Sequence, residues 1–103
     1  MKVYNKLVRD KIPGILTAEG KTFTVRYADE DEYKELLKQK LKEETNEFIK
    51  DSTLEELADI FEVFSAIVDA FGYTQDELIE CMSAKSDEKG AFVDKVILLS
   101  VEE

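Results

Sequence analysis

The chain has 103 residues, a net charge of −10, one Cys, one Pro, no His and no Trp. That length suits a single domain spanning 1–103. Without His there is no Ser-His-Asp triad and no imidazole metal ligand, and the lone Cys81 makes neither an internal disulfide nor a Cys-rich zinc site. A free thiol fits a reducing, cytoplasmic setting. No apolar run is long enough to span a membrane, the first residues lack a signal-peptide core, and an acidic surface disfavours nucleic-acid backbones.

Residues 5–19 read as a short helix with Leu7, Ile12, Ile15 and Leu16 inward, broken or restarted near Pro13 and stopped at Gly20. Residues 21–27 alternate polar and apolar, with Phe23, Val25 and Tyr27 on one side, the pattern of a strand. Asp29 to Asp31 offer caps for a long helix over 33–49. Residues 50–53 read as a tight connection, and Ser52 with Glu55 forms a capping-box pattern that opens a second long helix, to about Phe71 and Gly72. Thr74 with Glu77 repeats that pattern and opens a third helix to about Ser86, before Gly90. Residues 92–101 are rich in Val, Ile and Leu. The expected fold is mainly α, an antiparallel helical bundle, with a small two-stranded β element from residues near 22–27 and 94–101.

The helix over 57–71 is apolar around most of its circumference, with Glu62, Ser65 and Asp69 as its polar strip. A helix apolar nearly all round is buried nearly all round, and a chain this short has little material to surround it. This predicts a homodimer or a dimer of dimers, with helices packed across the interface.

Charge is unevenly placed: residues 1–26 carry a net +4 and the remainder −14. Either the basic arm docks on the acidic body by charge alone, or it meets an anion that the body holds through a metal. Within the body, Glu44 falls in the inward stripe of Leu37, Leu41 and Phe48, with Glu47 one turn on. Glu56 and Asp59 head inward rows of the next helix. A hairpin turning between Asp51 and Ser52 faces Glu47 with Glu56 and Glu44 with Asp59. Packed helix axes lie about 8–10 Å apart, so four carboxylates converge and must be neutralised by protons or cations. With only oxygen ligands, Mg²⁺ fits best, then Mn²⁺. The competing reading makes Glu43, Glu44 and Glu47 a solvated face paired with Lys40 and Lys50, and Glu56 a capping acid of Thr53.

Glu44-Thr-Asn-Glu47, an eight-residue gap, and Glu56-Leu-Ala-Asp59 resemble the ExxE…ExxD signature of the MazG-like all-α nucleoside triphosphate pyrophosphohydrolases. The opening Tyr4-Asn5-Lys6-Leu7-Val8-Arg9-Asp10-Lys11-Ile12-Pro13 and the element Lys85…Lys89-Gly90-Ala91-Phe92 resemble the branch related to phosphoribosyl-ATP pyrophosphohydrolase. Lys89 stands where that branch has Arg, Ala91 where Gly is common, and the gap between the acidic motifs is short for the superfamily.

The resemblance implies hydrolysis of a nucleotide between its α- and β-phosphates, giving a monophosphate and pyrophosphate. It implies Mg²⁺ on Glu44, Glu47, Glu56 and Asp59, and phosphate contacts from Lys6, Arg9, Lys11, Lys85 and Lys89. With no His, the base is a hydroxide on the metal or one of the carboxylates. Glu47 and Glu44 are the catalytic candidates, Glu47 for the water. Glu62, one turn beyond Asp59, either orients a ligand or is polar surface. The alternatives are phosphoribosyl-ATP as substrate, or a non-catalytic acidic helical dimer that binds divalent cations or a protein partner.

Overall fold

The computed structural model describes residues 1–102, and every regular element among them is helical. Four helices follow in order: α1 (Ile12–Ala18), α2 (Glu30–Asp51), α3 (Leu54–Ala70) and α4 (Gln75–Lys89). The chain forms two compact units, Met1–Gly72 with α1 to α3 and a second from Tyr73 with α4.

In the first unit the arm is not helical as far as Lys11, and Asn5 has a left-handed φ of 46°. The helix expected from residue 5 therefore starts only at Ile12, where Pro13 occupies the first turn and needs no amide partner. Its end is set by Gly20 at φ 73°, a conformation costly for a side-chain-bearing residue. Gly20 donates to the Thr17 carbonyl and Lys21 to the Leu16 carbonyl, both at 3.0 Å, closing the turn.

Asp29 caps α2 by accepting from the Glu32 amide at 2.9 Å. Glu30, Asp31 and Glu32 then lie at the positive end of the helix dipole. The helix runs through Asp51, two residues past the expected end, and closes on Ser52 with φ 53° and its amide on the Phe48 carbonyl at 2.7 Å. The cap of α3 is Thr53, not Ser52: the Thr53 hydroxyl accepts from the Glu56 amide at 3.3 Å. α2 and α3 pack against each other as a helical hairpin. Among the described residues, Leu37 on α2 and Val63 and Val68 on α3 are the buried apolar ones. A second row of α3, Leu54, Leu57, Phe61 and Phe64, repeats at steps of 3 and 4 residues and faces water.

In the second unit the expected capping box is present at α4. Thr74 accepts from the Glu77 amide at 3.1 Å and the Glu77 carboxylate accepts from the Thr74 amide at 3.0 Å. The helix extends to Lys89, three residues past the expected end, and stops at Gly90.

The expected two-stranded element is absent among the described residues: neither 22–27 nor 94–101 is a strand. Alternation fixes which way side chains face, but a strand exists only with a backbone partner in register. A turn at 93–94 followed by Lys95 at φ 60° also interrupts the segment expected to be a strand.

Candidate cation site

The site lies at the tip of the α2–α3 hairpin. Ligand oxygens of Glu47, Asp51 and Glu56 all lie within 4.8 Å of one another. Glu47 and Asp51 are one turn apart on α2, so they share a face. Glu56 is in the first turn of α3, where the Thr53 cap fixes the backbone. The short Ser52–Thr53 connection folds that turn back against the end of α2.

Glu56 is the half-buried member, and its Oε2 is buried with no hydrogen-bond partner among the described residues. Burial foremost, then a side-chain hydrogen bond with Asp51 and the charge of Asp51, with a smaller contribution from Glu47, hold its carboxyl above the ordinary value of 4.5. The Thr53 contact works in the opposite direction. Three like charges so close favour any species that neutralises them, a proton or a cation. All donors are hard carboxylate oxygens, which suits Mg²⁺ or Mn²⁺ and not a thiolate-seeking ion.

Asp51 joins the site although the sequence pattern places it in the connection between the two helices. Its spacing of four from Glu47 is the signal that identifies it, once α2 is known to continue that far.

Glu44 and Asp59 lie outside this cluster, and each meets a cation of the chain itself. Glu44, with 15% of its side chain exposed, pairs with Lys40 at 3.4 Å, and Lys40 also reaches Glu43 at 3.5 Å. Asp59 accepts from Arg9 at 2.7 Å, and the same guanidinium reaches Glu62 at 3.4 Å. Lys6 donates to Glu43 at 3.1 Å. That hydrogen bond first, with Lys40 adding to it, holds the Glu43 carboxyl below its ordinary value despite partial burial. The basic arm thus docks on both helices of the hairpin, Lys6 on α2 and Arg9 on α3.

Lys11 is exposed and occupies the position before α1, with no capping bond from its side chain. Lys85 and Lys89 are exposed one turn apart on α4 of the second unit. Tyr4, Tyr27 and Phe92 are exposed and Phe23 is half-buried. No helix among the described residues is long and apolar enough to cross a membrane. Compared with protein-family models, with curated proteins and with solved structures, the chain matches none.

Proposed function

We propose that the chain is a Mg²⁺-dependent nucleotide pyrophosphohydrolase with a MazG-like helical bundle, working in the cytoplasm as a homodimer or dimer of dimers. The observation that carries this reading is the half-buried Glu56, with an unpartnered oxygen beside Glu47 and Asp51. Among the described residues no ion pair joins these three carboxylates to a cation of the chain, which makes them a poor structural device and a good magnesium ligand set.

Glu47, Asp51 and Glu56 would hold the cation, with Glu44 and Asp59 on the adjoining turns able to extend the set. The bound cation would supply charge neutralisation for the phosphates and acidify water. The chain's own groups then divide the work. Glu47, exposed at the rim, accepts the proton of the attacking water, with Glu44 the alternative acceptor. The water oxygen bonds to the α-phosphorus, the bond from that phosphorus to the bridging oxygen breaks, and pyrophosphate leaves with the bridging electron pair. Lys6, Arg9 and Lys11 are the cations of the same unit assigned to the phosphates. The exposed row Leu54, Leu57, Phe61 and Phe64 supports the self-association part of the reading, since it gives a second copy an apolar seam.

The test incubates the protein with Mg²⁺ and canonical, deoxy and modified triphosphates and phosphoribosyl-ATP, and looks for a monophosphate with pyrophosphate. Glu56→Gln and Asp59→Asn should each abolish most turnover. Release of single orthophosphate, or activity indifferent to both substitutions, refutes the assignment. A second reading, a non-catalytic acidic helical module, is favoured by the pairing of Glu44 with Lys40 and Asp59 with Arg9. It predicts Mg²⁺ binding without turnover of any of these nucleotides.

A further inference from the structure

We infer that the outer face of α3 is covered by α4 of a second copy, the two chains exchanging their C-terminal units about a two-fold axis. This rests on the self-association reading and names the surfaces that carry it. The hairpin carboxylates play no part in it.

Every described residue from Tyr73 onwards is exposed, so the second unit has no core of its own. α4 buries no residue, and a helix of 15 residues with nothing packed on it is marginal in water. It is nevertheless amphipathic. Leu78, Cys81 and Met82 fall at steps of 3 and 4 with Ile79 on their flank, while Asp76, Glu80, Ser83 and Asp87 take the opposite side. A helix of this pattern buries its apolar stripe against a partner.

The outward row of α3, Leu54, Leu57, Phe61 and Phe64, is the matching surface. With Leu78, Ile79 and Met82, its uncovered fractions add to roughly four whole large side chains per copy, on the order of 800 Å² at about 200 Å² each. A standard-size interface takes about 800 Å² from each partner. Exchange therefore supplies the area a stable dimer needs, and two-fold symmetry uses both surfaces of both copies. One α3 row laid on another would leave α4 bare. Charge sets the direction. The first turn of α3 carries Glu55 and Glu56, the first turn of α4 carries Asp76 and Glu77, and α4 ends with Lys85 and Lys89. Parallel helices would set acid against acid. Antiparallel ones set Lys85 and Lys89 against Glu55 and Glu56 and oppose the helix dipoles. Leu78 then lies towards Phe61 and Phe64, and Met82 towards Leu57 and Leu54.

The test mixes isotope-labelled and unlabelled full chain in equal amounts, unfolds and refolds them together, and records NOEs that pass only between copies. These should join the methyl groups of Leu78 to the rings of Phe61 and Phe64, and that of Met82 to Leu57. Met82→Ala should raise the dimer dissociation constant about 30-fold or more, because the residue is buried twice in the exchanged pair. Ser83→Ala, on the opposite side of α4, should leave it unchanged. NOEs between copies that join α3 only to α3, or contacts of α4 with α3 found only within one copy, overturn the exchange and leave self-association standing. A Met82→Ala dimer as tight as the wild type does the same. A wild-type chain that is monomeric at micromolar concentration overturns the exchange and the self-association reading together.

Discussion

The outward row of α3 gives the most direct quantitative test of self-association. Phe61 is 65% exposed and lies edge-on to Phe64, with ring centroids 6.3 Å apart. Fully burying a Phe side chain is worth about 1.5–3 kcal/mol, so covering the exposed share of Phe61 contributes about 1–2 kcal/mol per copy. In a two-fold interface the residue appears twice, and Phe61→Ala removes about 2–4 kcal/mol. At tenfold for each 1.4 kcal/mol, the dimer dissociation constant rises about 30-fold to several-hundred-fold. Sedimentation equilibrium across micromolar concentrations reads this directly. Phe61 lies outside the buried set of Leu37, Val63 and Val68, so helix content by circular dichroism should be unchanged in the variant. A wild-type chain monomeric at these concentrations, or a Phe61→Ala dimer as tight as the wild type, refutes the seam.

Four further outcomes follow from the same geometry. Glu56 binds its proton more tightly folded than unfolded, because its folded value lies above 4.5. The cation-free protein therefore loses stability as pH rises from the unfolded value through the raised one. Glu56→Gln should flatten that part of the thermal-midpoint profile, and Mg²⁺ should restore stability on its alkaline side. Leu37, 2% exposed in a small core, should cost about 2–5 kcal/mol of unfolding free energy when truncated to Ala, read by urea denaturation. Thr74→Ala removes the hydroxyl half of a complete capping box and should cost about 0.5–2 kcal/mol, seen as faster amide exchange in the first turn of α4. Lys6→Ala should raise the titration midpoint of Glu43 towards 4.5, with Lys40 retaining part of the depression, as followed by carboxyl NMR shifts.

What the sequence made legible is what neighbouring residues decide. The helix pair flanking Ser52 and Thr53, the Thr74–Glu77 box and the stop at Gly20 all rest on contacts within five residues. The facing of Glu47 with Glu56 was legible for the same reason, since a short turn leaves a hairpin little freedom of register. Local rules also produced the errors. Ser52 and Thr53 are both good caps, and only the left-handed backbone of Ser52 assigns the role to Thr53. Once the cap moves by one residue, α2 extends and Asp51 joins the carboxylates. Lys40 and Glu44, four residues apart, were foreseeable as a pair. Arg9 and Asp59 are separated by 50 residues, and no spacing rule selects Asp59 over the other acids of the body. The strand expectation failed because an alternating segment specifies its faces but not its partner.

The position of the unneutralised acids carries the last argument. Glu47 and Asp51 stand in the final two turns of α2, where the helix dipole is negative and Lys50 is the basic residue of the last turn. A helix shaped only for stability places Lys or Arg there, and a second helix brings no further carboxylate to the same spot. Here α3 brings Glu56, at a point where its own dipole and the Thr53 cap favour a negative charge. Glu56 is therefore placed to stay anionic by its helix and discouraged from it by its neighbours. A proton resolves that conflict by giving up one of the three negative charges, whereas a divalent cation resolves it while all three remain. Elsewhere, Lys40 and Arg9 already supply the acids with counterions from the chain. The hairpin tip is thus where an external cation has most to gain, and this ties the proposed catalytic role to the charge pattern of the fold.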